Sequence, residues 1–170
     1  MDGEMKILGV DPGLRVCGYA LFEVNSQEEK LLEAGVIRSG EKDELPERLN
    51  KISQDFTELL EQLRPDTVAI EQLYSHYKHP RTAILMGHAR GVILQKCAEK
   101  GIGVKNFSAT RIKKSITGNG RASKEQMQRA IQTMLRLSKI PEPNDVADAI
   151  SAGLCCINSL KMETNMEFIK

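Results

Sequence analysis

The sequence predicts one α/β domain: three antiparallel strands, then two strands joined through helices, with further helices packed over the sheet. Three observations carry this. A continuous apolar run from Met5 to Val10 ends at Asp11, and a Pro12-Gly13 turn follows at once. A second short apolar run ends at Glu71 and lies between two stretches of helical character. From residue 108 onward the pattern is helical throughout.

Each element has its own signal. Met5–Asp11 is a strand by its unbroken apolar run, and 15–24 is a second strand after the Pro-Gly turn. Residues 30–38 alternate weakly and form a third, returning through 25–29. Short links between three consecutive strands imply an antiparallel meander. Asp43 is the expected N-cap of a helix to Leu63, because Leu45, Leu49, Ile52, Phe56, Leu59 and Leu63 recur at helical spacing. Arg64-Pro65-Asp66 breaks that helix, and Thr67–Glu71 is a short buried strand. After a polar loop, 80–100 is a second helix with Pro80 in its first turn. A fifth strand covers 102–107, flanked by Gly101 and interrupted by Gly103. A short helix over 108–117 stops at Gly118-Asn119-Gly120. Ser123 and Gln126 form a capping box for a helix to residue 137. Asn144 caps the last helix, to residue 160, after the stop at 141–143. The single domain thus spans 1–160, and 161–170 is a loosely held tail.

Length and composition agree with a single domain. A chain of 170 residues can bury a real core. No apolar stretch reaches the roughly 20 residues that span a bilayer, and the acidic start Met1-Asp2-Gly3-Glu4 lacks the apolar region of a secretory signal. A cytoplasmic protein is expected. Cys17, Cys97, Cys155 and Cys156 form no Cys-x-x-Cys unit and read as small buried hydrophobes. The formal net charge is only +1, but it is unevenly placed. Residues 1–71 carry eight Lys/Arg and sixteen Asp/Glu, whereas 72–124 carry eleven Lys/Arg and one acid, Glu99. So long a stretch nearly free of acids suits a face that meets a polyanion.

The acids suggest the chemistry. Asp11 and Glu71 each end an apolar strand, and Asp145 and Asp148 stand about one helical turn apart, on one face. Acids gathered in a dry site repel one another unless a cation joins them. Magnesium, with its preference for oxygen ligands, is the usual solution. The reading is a two-metal site that cuts phosphodiesters, one metal activating water and the other stabilising the leaving oxygen.

At this point a resemblance becomes specific. Ile7-Leu8-Gly9-Val10-Asp11-Pro12-Gly13-Leu14-Arg15-Val16-Cys17-Gly18-Tyr19 resembles the opening of RuvC-type Holliday junction resolvases of the ribonuclease-H-like superfamily. Ala69-Ile70-Glu71-Gln72, Gly87-His88-Ala89-Arg90-Gly91 and Asp145-Val146-Ala147-Asp148-Ala149 resemble later blocks of that family, in the same order. The resemblance implies a five-stranded mixed sheet flanked by helices, a homodimer and magnesium-dependent cleavage of four-way DNA junctions. Two magnesium ions per site, replaceable by manganese, would rest on Asp11, Glu71, Asp145 and Asp148. It also implies a branch-migration motor of the RuvA and RuvB type as partner, and a role in recombination and repair.

By the same pattern Lys113 and Lys124 match basic residues near the scissile phosphate. Lys78, Arg81, Lys105, Arg111, Lys114 and Arg121 are further candidates for DNA contact. Tyr74 falls where the family places an aromatic near the junction centre, in a loop rich in cations where rings suit stacking on bases. His76 and His79 make a poor magnesium site, lacking further ligands. Ala83, Gly87 and Gly91 recur every four residues and allow close packing, either on the chain's own sheet or on a second copy; the resemblance implies the copy. Rival readings are an actin-like ATPase, for which the chain is too short, a related nuclease acting on RNA precursors, and a non-catalytic nucleic-acid binding module.

Overall fold

The computed structural model describes residues 3–73 and 80–167. Its strands are β1 (Met5–Asp11), β2 (Val16–Val24), β3 (Glu29–Arg38), β4 (Thr67–Glu71) and β5 (Gly103–Phe107). Its helices are α1 (Leu45–Leu63), α2 (Pro80–Glu99), α3 (Ala109–Thr117), α4 (Lys124–Met134) and α5 (Asn144–Glu167). One sheet forms in the order β3-β2-β1-β4-β5. The first three strands pair antiparallel, and β4 and β5 join parallel beside β1. That is the predicted mixed sheet.

Strand alternation divides the core in two. Leu8, Val10, Leu21, Val68 and Ile70 pack with Ile52, Phe56, Leu60 and Ile93, from α1 and α2, on one face. Ile7, Ala20, Phe22 and Ala69 pack on the other with Ile112, Ile131, Ile150 and Leu154, from α3, α4 and α5. Burying a side chain of this size stabilises by roughly 1.5–3 kcal/mol. Both apolar layers are therefore needed, and α5 forms the main contact with β1 and β2. All four cysteines are free and buried, as expected.

The structure differs from the sequence reading at several helix and strand boundaries. Asp43 does not cap α1; Glu44 does, its backbone N–H donating to Glu47 Oε2 at 2.6 Å, with Pro46 set in the first turn. The carbonyl of Asp43 instead accepts from Arg48 Nε at 2.9 Å. Ile102 lies outside β5, because its N–H closes α2 by donating to the Cys97 carbonyl at 2.9 Å. α4 stops at Met134, short of residue 137, and Arg136 turns the chain with a left-handed φ of 50°. α5 does not end at residue 160. It continues through Glu167, so much of the expected tail is helix. Lys161 pairs with Glu29 of β3, and Glu163 with Lys105 of β5 at 3.4 Å, tying this last stretch to both edge strands.

The small-residue stripe of α2 has a clear position. The helix buries Ala89, Ile93 and Cys97 against the sheet. A Cβ on Gly91 would meet nothing within 4 Å, and one on Gly87 only Leu73 at 4.0 Å. Gly87 and Gly91 are thus not packed closely on the chain's own sheet among the described residues, and neighbouring Ile84 is 61% exposed.

Candidate active site

The parallel pairing of β1 with β4 brings the ends of both strands to the same edge. Alternation then decides which way the acids face. Asp11 shares the parity of Ile7, and Glu71 that of Ala69, so both belong to the face covered by α5. The α5 helix lies unusually near the strands. A Cβ at Gly9 would fall 2.1 Å from the Ala149 carbonyl oxygen, and one at Gly18 would fall 2.0 Å from that of Asp145. Only glycine permits such an approach. Gly18 is also the register partner of Asp11, so the first turn of α5 is set down beside that aspartate.

Asp11, Glu71, Asp145 and Asp148 consequently line one cleft, together with Lys124 and Asn144. An adjoining hollow shares Glu71, Asp148, Lys124 and Asn144 and adds Lys113 and Gln128. The six residues expected to act in catalysis thus meet in one continuous depression, although they come from β1, β4, α3, α4 and α5.

The field in the cleft reflects this crowding. Burial pushes the Asp11 carboxyl from its ordinary 3.8 up to about 7, with repulsion from Asp148, Asp145 and Glu71 adding to it and Lys124 opposing. Burial also raises Glu71, assisted by Asp148, while Lys113 and Lys124 pull it down. Asp148 is raised by burial; Lys124 is the strongest counterweight, Asp145 adds repulsion, and Lys113 opposes it. Neither lysine forms an ion pair with these acids. Their ammonium groups are near enough to be felt and free to meet an anion.

An all-carboxylate donor set fits a hard divalent cation, which would relieve the repulsion that lifts Asp11. Among the described residues no three acidic, His or Cys side chains are drawn together as a ready cage. The acids surround the cleft without closing into a ligand set.

Other sequence candidates are placed elsewhere. Arg111 Nη2 donates to Ser159 Oγ at 2.9 Å, and its guanidinium lies 5.2 Å from the Phe107 ring centre. With Lys114 it lines a separate pocket between α3 and the later part of α5, beside Ser115 and Asn158. Lys105 is engaged with Glu163. Arg81 is exposed in the first turn of α2, and Arg121 is exposed in the turn before α4, its N–H donating to Asn119 Oδ1 at 2.9 Å. Tyr74, Lys78, His76 and His79 lie outside the described residues.

Sequence reasoning missed Gln128 and took Asn144 for the N-cap of α5, whereas Asn144 is the first residue of that helix and the Val146 N–H donates to the Pro143 carbonyl at 2.9 Å. In the structure Gln128 Nε2 donates to Asn144 Oδ1 at 3.0 Å across the cleft wall. The signal was present: Gln128 stands four residues after Lys124, hence on the same helix face.

Comparison with known proteins agrees with this architecture. The family model described as crossover junction endodeoxyribonuclease RuvC matches residues 7–156. A crossover junction endodeoxyribonuclease RuvC from Rhodopirellula baltica is 51% identical over 149 residues, covering 88% of this chain and 84% of the relative. The structure of Thermus thermophilus RuvC superposes with a TM-score of 0.85 at 28% identity, covering 94% of this chain and 98% of that one. The same protein in complex with a Holliday junction substrate also gives 0.85, at 27% identity, covering 94% and 97%. The fold is ribonuclease-H-like. The chain belongs to the RuvC crossover junction endodeoxyribonuclease family.

Proposed function

We propose that this chain is a Holliday junction resolving endonuclease, and the observation that carries the reading is the cleft itself. Carboxylates from two adjacent parallel strands and one helix turn face two lysines that form no ion pair with them. That combination suits a phosphodiester held between cations and attacked by water. The RuvC relatives are named endodeoxyribonucleases, and one solved relative holds a Holliday junction.

Nucleases of this family work with a divalent metal in general. Our assignment is magnesium, two ions per site, held by Asp11, Glu71, Asp145 and Asp148, with manganese able to substitute. Such ions, when bound, supply an activated water and charge stabilisation at the leaving oxygen. The chain's own groups do the rest. Lys113 and Lys124 bind the scissile phosphate and stabilise charge developing on it. The dipole at the start of α5 favours the ionised carboxylates of its first turn. Asp11, poised near 7, is kept ready to lose its proton as a cation arrives.

A four-way junction has two strands of like polarity, and one chain has acids for a single site. Paired cuts therefore need two chains on a two-fold junction. The unburied stripe of Ala83, Gly87 and Gly91, beside exposed Ile84, supports a homodimer through α2. The products are symmetric nicks with 5′-phosphate and 3′-hydroxyl ends that ligase can seal. A RuvA- and RuvB-type motor is the proposed partner. No described helix is long and apolar enough to cross a membrane, and we assign the protein to the cytoplasm.

Cleavage of a four-way DNA junction, linear duplex and structured RNA, with and without magnesium, tests the reading. Junction cutting that requires magnesium is the expected result. Equal cutting of duplex would leave a general nuclease, preference for RNA would favour the precursor-processing rival, and binding without cutting would favour a non-catalytic module.

A further inference from the structure

The wall between α4 and α5 contains two aligned pairs of side chains. Lys124 and Gln128 stand four apart on α4, and Asn144 and Asp148 stand four apart on α5, so each pair occupies one helix face. All four line the same hollow. Gln128 Nε2 donates to Asn144 Oδ1 at 3.0 Å, which makes a closed rung. Lys124 and Asp148 make an open one, because they attract across the gap but do not pair. A lysine's flexible four-carbon stem would let Lys124 reach Asp148 if the helices stood closer.

We propose that the Gln128–Asn144 hydrogen bond is a spacer that sets the α4–α5 gap and keeps the Lys124 ammonium off Asp148, available to the substrate phosphate. Gln128 is then a positioning residue, acting through Lys124 and not on the reacting atoms. The rung's location supports this. Met127 and Ile131 stand on the same face of α4 and pack in the core with Ala147 and Ile150, holding the deeper part of the hollow's wall. Toward the rim, the amide pair is the direct polar tie between α4 and the start of α5. Losing it frees the first turn of α4, which carries Lys124, to close on the acids or swing outward. Both movements take the ammonium away from the phosphate.

The inference rests on the junction-cleaving reading, and its test separates the two. Gln128→Met removes the hydrogen bond while keeping side-chain length and helix preference, and Asn144→Ala removes it from the other side. Single-turnover cleavage at saturating protein, junction affinity in chelator, melting temperature and backbone amide exchange in metal-free, DNA-free protein are measured together. Each variant should cut roughly five- to tenfold more slowly, the usual scale for one hydrogen bond. The double variant should be no slower than the slower single, since both remove the same contact. Affinity and melting temperature should stay near wild type, while amide exchange rises in the first turns of α4 and α5. Multiplying effects in the double variant would overturn the spacer, as would cleavage unchanged in Gln128→Met. An equal fall in affinity would show instead that these amides grip DNA. Failure of the wild-type chain to cut junctions would remove the functional reading, yet altered exchange at both helix starts would still uphold the rung.

Discussion

The two faces of the sheet are built from alternate residues of the same strands, yet they do different work. On β1, Leu8 and Val10 face α1 and α2 in a layer made of apolar side chains. Ile7, Gly9 and Asp11 face α5, and there the side chain gives way to glycine and then to an acid. Glycine admits the α5 backbone, and that approach brings Asp145 and Asp148 beside Asp11. The α5 face carries its own filled apolar layer, but it gains the acids' geometry where side chains are removed, at Gly9 and Gly18. A change at a filled position such as Leu8 should cost stability; one at a close-approach glycine should cost chemistry.

The largest effect should come from Asp11→Asn. It keeps the shape of the side chain and removes one charge from the cluster. Cleavage should fall on the order of 10²–10³-fold, while junction binding, carried by the lysines, persists. Gel-shift and cleavage assays on the same preparation check this, and undiminished cutting by the variant or in excess chelator would sink the metal assignment.

Leu8→Ala and Gly9→Ala compare adjacent residues on opposite faces. Leu8 is fully buried, so its truncation should cost about 2–5 kcal/mol of stability. Cleavage per folded molecule should stay near wild type. A methyl on Gly9 must displace the Ala149 carbonyl, 2.1 Å from its Cβ, and so move α5. Overpacking of this kind costs about 1–3 kcal/mol, but the loss of activity should exceed the loss of stability. Denaturant unfolding alongside cleavage rates separates the two. Equal activity in both variants would dissolve the contrast between the faces.

The pH dependence distinguishes the faces again, because the strongest carboxylate shift lies on the α5 side. Folded Asp11 holds its proton up to about pH 7, whereas an ordinary carboxylate gives it up near 3.8. Between those values the folded state binds more protons than the unfolded one, so metal-free stability falls as pH rises through the window. Below 3.8 both states are protonated, and above 7 neither is, so this contribution is flat at each end. Melting of metal-free protein should therefore show a decline from pH 4 to 7 that Asp11→Asn reduces. Magnesium should offset it most near and above pH 7, where the ionised acid is ready to bind. A decline equally steep in the variant would assign it to other groups.

Much of the fold was legible because its signals are local. Met5–Asp11 and Thr67–Glu71 end where their apolar runs end, and Ser123 with Gln126 marks the start of α4 by chemistry confined to one turn. Asp11 and Glu71 were legible for the same reason, since each ends a strand, and Asp145 and Asp148 by their spacing of about one helical turn. What escaped depends on distant partners. α5 runs beyond residue 160 because Lys161 and Glu163 reach β3 and β5, which local periodicity cannot register. The direction of each α3 cation was equally hidden. Lys113 and Lys114 are neighbours in a basic run, but helical geometry sends them to different pockets.

That divergence yields the smallest and most discriminating prediction. Lys113 lines the hollow with the acids and lowers the proton affinity of Glu71 and Asp148. Lys114 lines the pocket on the other flank of α3 with Arg111 and is not among the charges that act on Asp11, Glu71 or Asp148. Lys113→Ala should slow single-turnover cleavage more than it weakens binding. Lys114→Ala should leave cleavage of bound junction unchanged. If DNA reaches that flank, the variant should weaken affinity a few-fold and lower the salt slope of binding by roughly one unit. Affinity measured over a salt series, paired with cleavage at saturation, reads both quantities for both variants. Matching defects in the two lysines would mean that α3 acts as one basic surface, and its division between catalysis and grip would fail. An unchanged salt slope for Lys114→Ala would remove the outer flank from the DNA interface and leave the cleft lysines, with the dimer, to account for binding.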